Sequence, residues 1–103
     1  MNSIQITHAK HSKLKSTDFK NLGFGKFFSD HMLICDYKFG VWGAPEIVPF
    51  EAISLMPSSK IFHYGQSIFE GMKAYKDKNS NTWLFRPEEN FKRLNKSAER
   101  LAI

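Results

Sequence analysis

The sequence predicts an α+β fold, an antiparallel sheet with a helix packed on it. Three observations carry that prediction. Residues 67–75 and 82–86 flank the polar loop Lys76-Asp77-Lys78-Asn79-Ser80-Asn81, the pattern of a β-hairpin. The short apolar run Met32-Leu33-Ile34-Cys35 reads as a strand buried on both faces. From Pro87 onward, Phe91, Leu94, Ala98 and Leu101 recur at helical spacing and form an apolar stripe.

Each element has its local reasons. Residues 1–21 are polar and basic with few apolar anchors, so a flexible basic arm is expected, or one ordered only against a partner. The domain proper is expected to fill 22–103. Gly23-Phe24-Gly25-Lys26-Phe27-Phe28 sets aromatics between glycines, a backbone that bends while its rings are buried. Phe39-Gly40-Val41-Trp42-Gly43 continues as turn and strand. Pro45 and Pro49 bracket Glu46-Ile47-Val48, a short strand that proline confines to an edge or an end. Residues 54–57 are irregular, and 58–64 hold one helical turn stopped by Gly65. On a two-residue period, Phe69, Gly71, Lys73 and Tyr75 share one strand face, and Met72 and Ala74 the other. Pro87 suits a first helical position, with Glu88 and Glu89 beside the positive end of the dipole. Glu88/Lys92 and Glu89/Arg93 are spaced as i,i+4 pairs. No cap or following proline stops this helix before Ile103, so a piece of a longer protein is expected.

Composition narrows the class. A chain of 103 residues is one domain or part of one. It is 42% hydrophobic and 24% charged, which excludes a disordered polyelectrolyte. Ten phenylalanines supply enough apolar area for a useful core. No apolar run approaches the roughly 20 residues of a membrane span, and the first 16 residues lack the apolar stretch of a secretory signal. One cysteine excludes an internal disulfide framework and fits a reducing, cytoplasmic setting. The net charge of +5 invites a nucleic-acid reading. Its distribution weakens that reading, because Lys92, Arg93, Lys96 and Arg100 are interspersed with Glu88, Glu89 and Glu99.

Several residues have chemical potential, each against a plainer reading. His31 beside Asp30 has the makings of a general base; a structural histidine is the stronger reading. His8, His11 and His63 make no metal-ligand pattern, and no metal site is expected. Cys35, inside an apolar run, reads as a small buried hydrophobe. Arg93 lies between Phe91 and Leu94, near the helix's buried stripe. A guanidinium there needs an anion, either a phosphate or carboxylate or simply Glu89 on the surface. Pattern alone does not separate these. Tyr64, Phe24 and Phe69 are aromatics whose default place is the core or its edge. The residues by themselves reach an α+β piece with an anion site at Arg93 as one reading, and reach no reaction.

A resemblance adds the reaction. His63-Tyr64-Gly65-Gln66-Ser67-Ile68-Phe69-Glu70-Gly71-Met72-Lys73-Ala74-Tyr75 resembles the signature of branched-chain amino acid aminotransferases, fold-type IV enzymes using pyridoxal 5′-phosphate. Three more blocks match in order. Residues 24–33 resemble the family's FGxxFTDHML element, with Ser29 for the usual threonine. Trp42-Gly43 with Pro45, Ile47 and Pro49 resembles the next stretch. Phe85-Arg86-Pro87, Asn90, Arg93-Leu94, Ser97-Ala98 and Arg100-Leu101 resemble its FRPxxNxxRLxxSAxRL helix. Together they cover about residues 22–103.

The resemblance implies roles. Arg93 matches the arginine that contacts the cofactor phosphate. Phe24 and Phe69 match aromatic walls of the pocket for aliphatic side chains. Tyr64 matches a tyrosine that reaches the neighbouring subunit's site, and Gly71 a glycine that leaves room near the substrate. The family's Schiff-base lysine belongs to a larger C-terminal domain, and no lysine here matches it. The resemblance therefore implies the front of the small N-terminal domain of a cytoplasmic homodimer, with no catalytic residue in this stretch and no activity by itself. The implied partners are branched-chain amino acids and 2-oxo acids, with no nucleic acid and no membrane. The implied reaction is amino transfer between leucine, isoleucine or valine and 2-oxoglutarate. Two rivals stand beside it: a small basic module binding an anion or single-stranded nucleic acid, and a non-catalytic dimerisation fragment.

Overall fold

The computed structural model describes residues 3–103, in two units, the first running to Ile53 and the second Ser54–Ile103. The division falls inside what the sequence suggested was one domain.

The first unit holds β1 (Gln5–Ile6), β2 (His31–Ile34), β3 (Tyr37–Lys38), β4 (Val41–Trp42) and β5 (Glu46–Pro49). Three of these form a sheet in the order β1-β5-β2. β2 and β5 run antiparallel, with Met32 opposite Val48 and Leu33 opposite Ile47. β1 joins β5 in parallel, with Ile6 opposite Ile47. The sheet is thus mixed rather than purely antiparallel. It also makes β5 the middle strand, so of the expected edge or end the edge fails and the end holds: Pro49 is the strand's last residue. The run at 32–35 is not buried on both faces. Met32 and Ile34 are half-buried and Leu33 is exposed, because only one face of this small sheet is covered. Cys35 lies just past β2, half-buried, with its Sγ donating to the Gly43 carbonyl at 3.3 Å.

The expected free arm is tethered at several points. Besides β1, the Thr7 amide donates to the Ile47 carbonyl at 2.9 Å. The Ala9 amide donates to His31 Nε2, and the Lys13 amide to Asp30 Oδ1, each at 2.9 Å. Backbone donors make these links, and a backbone donor leaves no mark on composition. Next along the chain, β3 and β4 close a two-residue hairpin. Both loop residues have positive φ, Phe39 at 54° and Gly40 at 82°, as a type I′ turn requires.

The second unit holds α1 (Lys60–Tyr64), β6 (Ala74–Lys76), β7 (Thr82–Leu84) and α2 (Pro87–Arg100). Gly65, at φ 60°, stops α1 as expected. The hairpin is present, with Tyr75 opposite Trp83, but its first strand covers 74–76 and not 67–75. Residues 67–73 form no strand, so the two-residue alternation of Phe69 and Gly71 does not apply. The hairpin loop is organised by Asp77, whose carboxylate accepts from the Asn79 and Asn81 amides, the Asn81 side chain and Trp83 Nε1, all within 2.8–3.0 Å.

α2 begins at Pro87 with Glu88 and Glu89 in its first turn. Of its stripe, Leu94 and Ala98 are half-buried, while Phe91 and Leu101 remain exposed. The expected i,i+4 pairs give way to i,i+3 ones: Lys92 bonds Glu89 at 2.8 Å, and Arg86 lies 3.6 Å from it. Closely packed element pairs are all strand with strand, so α2 does not lie on a sheet. Its tertiary polar contacts go to residues 70–71 instead. Among the described residues none is fully buried, and the chain exposes 10084 Å².

Candidate functional site

The site is built where α2 meets the irregular stretch before β6. Asn90 and Arg93 are three residues apart on α2 and so share a face. Opposite them lies Glu70. Arg93 Nε donates to Glu70 Oε2 at 3.1 Å, and Arg93 Nη2 donates to Oε1, a bidentate pair. Asn90 Nδ2 donates to Glu70 Oε1 at 3.1 Å and to the Gly71 carbonyl at 2.7 Å. Four polar contacts therefore bind 70–71 to α2. One of them, from Asn90, takes a backbone carbonyl of this stretch, that of Gly71.

Burial is unequal across the pair. The Glu70 side chain is 16% exposed and the Arg93 side chain 63%. The Arg93 hydrogen bond holds the Glu70 carboxyl below the usual carboxylate range; desolvation opposes it less strongly, and the Asn90 hydrogen bond adds to the lowering. The same hydrogen bond raises Arg93, so both groups stay charged near neutral pH. Glu70 takes two of the five guanidinium N–H donors. Among the described residues no hydrogen bond takes the other three, on Nη1 and Nη2. The guanidinium thus shows a fixed side to Glu70 and an open end to solvent, which suits one further anion. Of the two anions weighed from sequence, Glu89 is not the partner; a carboxylate is, and it comes from Glu70.

The remaining candidates are more scattered. Gly71 joins Arg93 through Asn90. A Cβ built at Gly71 would meet nothing within 4 Å, so nothing in the chain itself demands glycine there. Phe69 is 91% exposed and Tyr64 84% exposed, each without an aromatic partner among the described residues. Tyr64 borders a shallow cavity of about 360 Å³ with Lys60, Gln66 and Leu101. Phe24 belongs to the first unit and is fully exposed. That unit has a larger concavity, about 540 Å³, walled by Leu14, Phe19, Phe27 and Phe28, but Phe24 does not line it. His31 has a structural place, with Nε2 accepting the Ala9 amide. Sequence reasoning missed Glu70 and Asn90. The available signals were an acid inside an otherwise apolar stretch and an asparagine one helical turn before Arg93.

The chain is 48% identical over 87 residues to branched-chain-amino-acid transaminase 1 of Bacillus subtilis, covering 84% of this chain and 24% of that protein. It is 44% identical over 101 residues to the cytosolic branched-chain-amino-acid aminotransferase of Saccharomyces cerevisiae, covering 97% of this chain and 27% of that one. A probable branched-chain-amino-acid aminotransferase of Staphylococcus aureus is 54% identical over 83 residues, 80% of this chain and 23% of its own. The chain belongs to the branched-chain-amino-acid aminotransferase family. It spans about a quarter of the length of these relatives. No family model matches the chain. The similarity to the yeast aminotransferase takes in nearly the whole chain, and so reaches into the N-terminal segment that was set apart as an arm.

Proposed function

We propose that this chain supplies part of the small N-terminal domain of a fold-type IV branched-chain amino acid aminotransferase. The whole enzyme moves the amino group between leucine, isoleucine or valine and 2-oxoglutarate. The observation that carries this reading is Arg93: a charged guanidinium anchored on one side by Glu70 and open at its other end. An open guanidinium end fits a phosphate oxygen, so this residue suits pyridoxal 5′-phosphate. One arginine is one side of a phosphate site, and the remaining donors come from elsewhere in the enzyme. The cofactor, when bound, supplies the electron sink that amino transfer needs.

The other residues of this chain bind and shape. Arg93 neutralises phosphate charge and fixes the cofactor's tail. Phe24, Phe69 and Tyr64 offer exposed aromatic surface, which becomes apolar wall for a branched aliphatic side chain. Such walls exclude water and select by shape, since these side chains carry no polar handle. The open space at Gly71 leaves room for substrate. Tyr64, exposed at the end of α1, is the residue to serve the neighbouring subunit's site in a homodimer. None of the lysines here is assigned the covalent role, and the stretch by itself is inactive. A cytoplasmic setting belongs to this reading. Separately, no helix among the described residues is long and apolar enough to cross a membrane.

The test is a graft. Replacing the matching region of the Bacillus subtilis transaminase by this chain gives an enzyme that retains pyridoxal phosphate. Arg93→Ala in the graft weakens cofactor affinity about 10- to 100-fold, the loss of charge-assisted hydrogen bonds. Unchanged affinity would remove Arg93 from the phosphate site. The nucleic-acid rival predicts instead salt-dependent oligonucleotide binding by the chain.

A further inference from the structure

We propose that Glu70 is a positioning residue, which holds the Arg93 guanidinium side-on so that its open end meets the cofactor phosphate; this rests on the reading of Arg93 above. Two observations separate this role from that of a carboxylate merely filling an empty anion site. First, Glu70 binds the Nε/Nη2 side, leaving Nη1 and one Nη2 proton for an incoming anion. A stand-in for phosphate would occupy the donors that phosphate needs. Second, Glu70 is fixed independently of Arg93. Asn90 donates to its Oε1, and the same amide nitrogen donates to the Gly71 carbonyl. At 16% exposure Glu70 is the covered member of the pair, while Arg93 at 63% faces outward. The cluster therefore reads as a base that aims a donor. Because Asn90 also holds Gly71, it ties the aim of Arg93 to the backbone proposed to flank the substrate.

Charge and geometry make opposite predictions, which gives a clean test. A carboxylate beside an anion site repels phosphate, so electrostatics alone says that neutralising Glu70 tightens binding. Positioning says that it weakens binding, because a swinging arginine must be ordered again by the ligand. The experiment titrates inorganic phosphate into the ¹⁵N-labelled graft described above, freed of cofactor, and follows the Arg93 Nε–H resonance. In the wild type this proton exchanges slowly and shifts with phosphate. In Glu70→Gln, Nε–H exchange quickens tenfold or more and the phosphate Kd rises at least threefold; Asn90→Ala moves both in the same direction. The Trp83 Nε1–H resonance, held by Asp77 in the same unit, stays in place and shows that the unit is still folded.

Equal or tighter phosphate binding by Glu70→Gln overturns the positioning role while Arg93 remains an anion site. A fast-exchanging Nε–H in the wild type also overturns it, since the pair is then not held. A slow Nε–H that never responds to phosphate removes the anion site itself, a failure of the functional reading and with it of this one. If Glu70→Gln loses the Trp83 signal, Asn90→Ala decides by the same two readouts. If both variants lose it, Glu70 and Asn90 hold the fold and not the aim, and the proposal falls.

Discussion

At the scale of single residues, Asp77 gives the sharpest prediction. Hydrogen bonds from Trp83, then from Asn81, hold its pKa near about 2, against an ordinary 3.8. A depressed carboxyl pKa stabilises the folded loop above the ordinary value. That contribution is complete above pH 3.8 and fades as pH falls through about 2. The Asp77 carboxyl carbon should therefore titrate by NMR with a midpoint near 2, and in Asp77→Asn the Trp83 indole signal should no longer depend on pH in this window. A midpoint near 3.8 would mean that the loop is not closed. Arg93 makes the parallel case for function. Its need for an anion was legible from its place beside the helical stripe. Its actual partner, Glu70, was not, because spacing along one helix reports only neighbours on that helix.

Elements show where local pattern suffices and where it does not. α2 was legible from Pro87, the acids of its first turn and its apolar spacing, and α1 from its Gly65 stop. Each rests on interactions within a few residues. The stretch 67–73 was misread as strand because its alternation is real in sequence, yet no partner strand pairs with it, and Asn90 and Arg93 hold Glu70 and the Gly71 carbonyl from α2. Of the two places open to β5, an edge or an end, Pro49 does sit at the strand's end; the edge does not hold, because β1, from more than 40 positions earlier in the chain, pairs on its other side. The β3–β4 turn yields a prediction of its own. Phe39 holds φ 54° with its ring fully exposed, so it carries the left-handed penalty and gains no packing. Phe39→Asn should stabilise the hairpin by about 1 kcal/mol, seen as a higher urea midpoint at unchanged slope. A lower midpoint would mean that the ring finds a partner that outweighs the strain.

For the whole molecule, the surface decides. A folded monomer of 11.9 kDa exposes about 6000 Å², and even two separate compact halves would expose about 7200 Å² together. The chain exposes 10084 Å², with Phe24, Phe39, Phe69 and Phe85 largely open. Ten phenylalanines suggested a core; among the described residues the rings remain exposed surface. Composition reports how much apolar area a chain carries and not whose atoms hide it. The isolated chain should bind a hydrophobic dye such as ANS strongly, and the graft into the Bacillus subtilis transaminase should bind little. A dye-silent isolated chain would contradict this reading of its surface.

That same graft tests the central claim most directly. Amino transfer from leucine to 2-oxoglutarate, followed as glutamate formed, should proceed at a rate within about tenfold of the unaltered transaminase, roughly 1.4 kcal/mol of barrier. A folded, cofactor-loaded graft with no leucine-dependent glutamate formation would contradict the claim that this chain is part of a branched-chain aminotransferase.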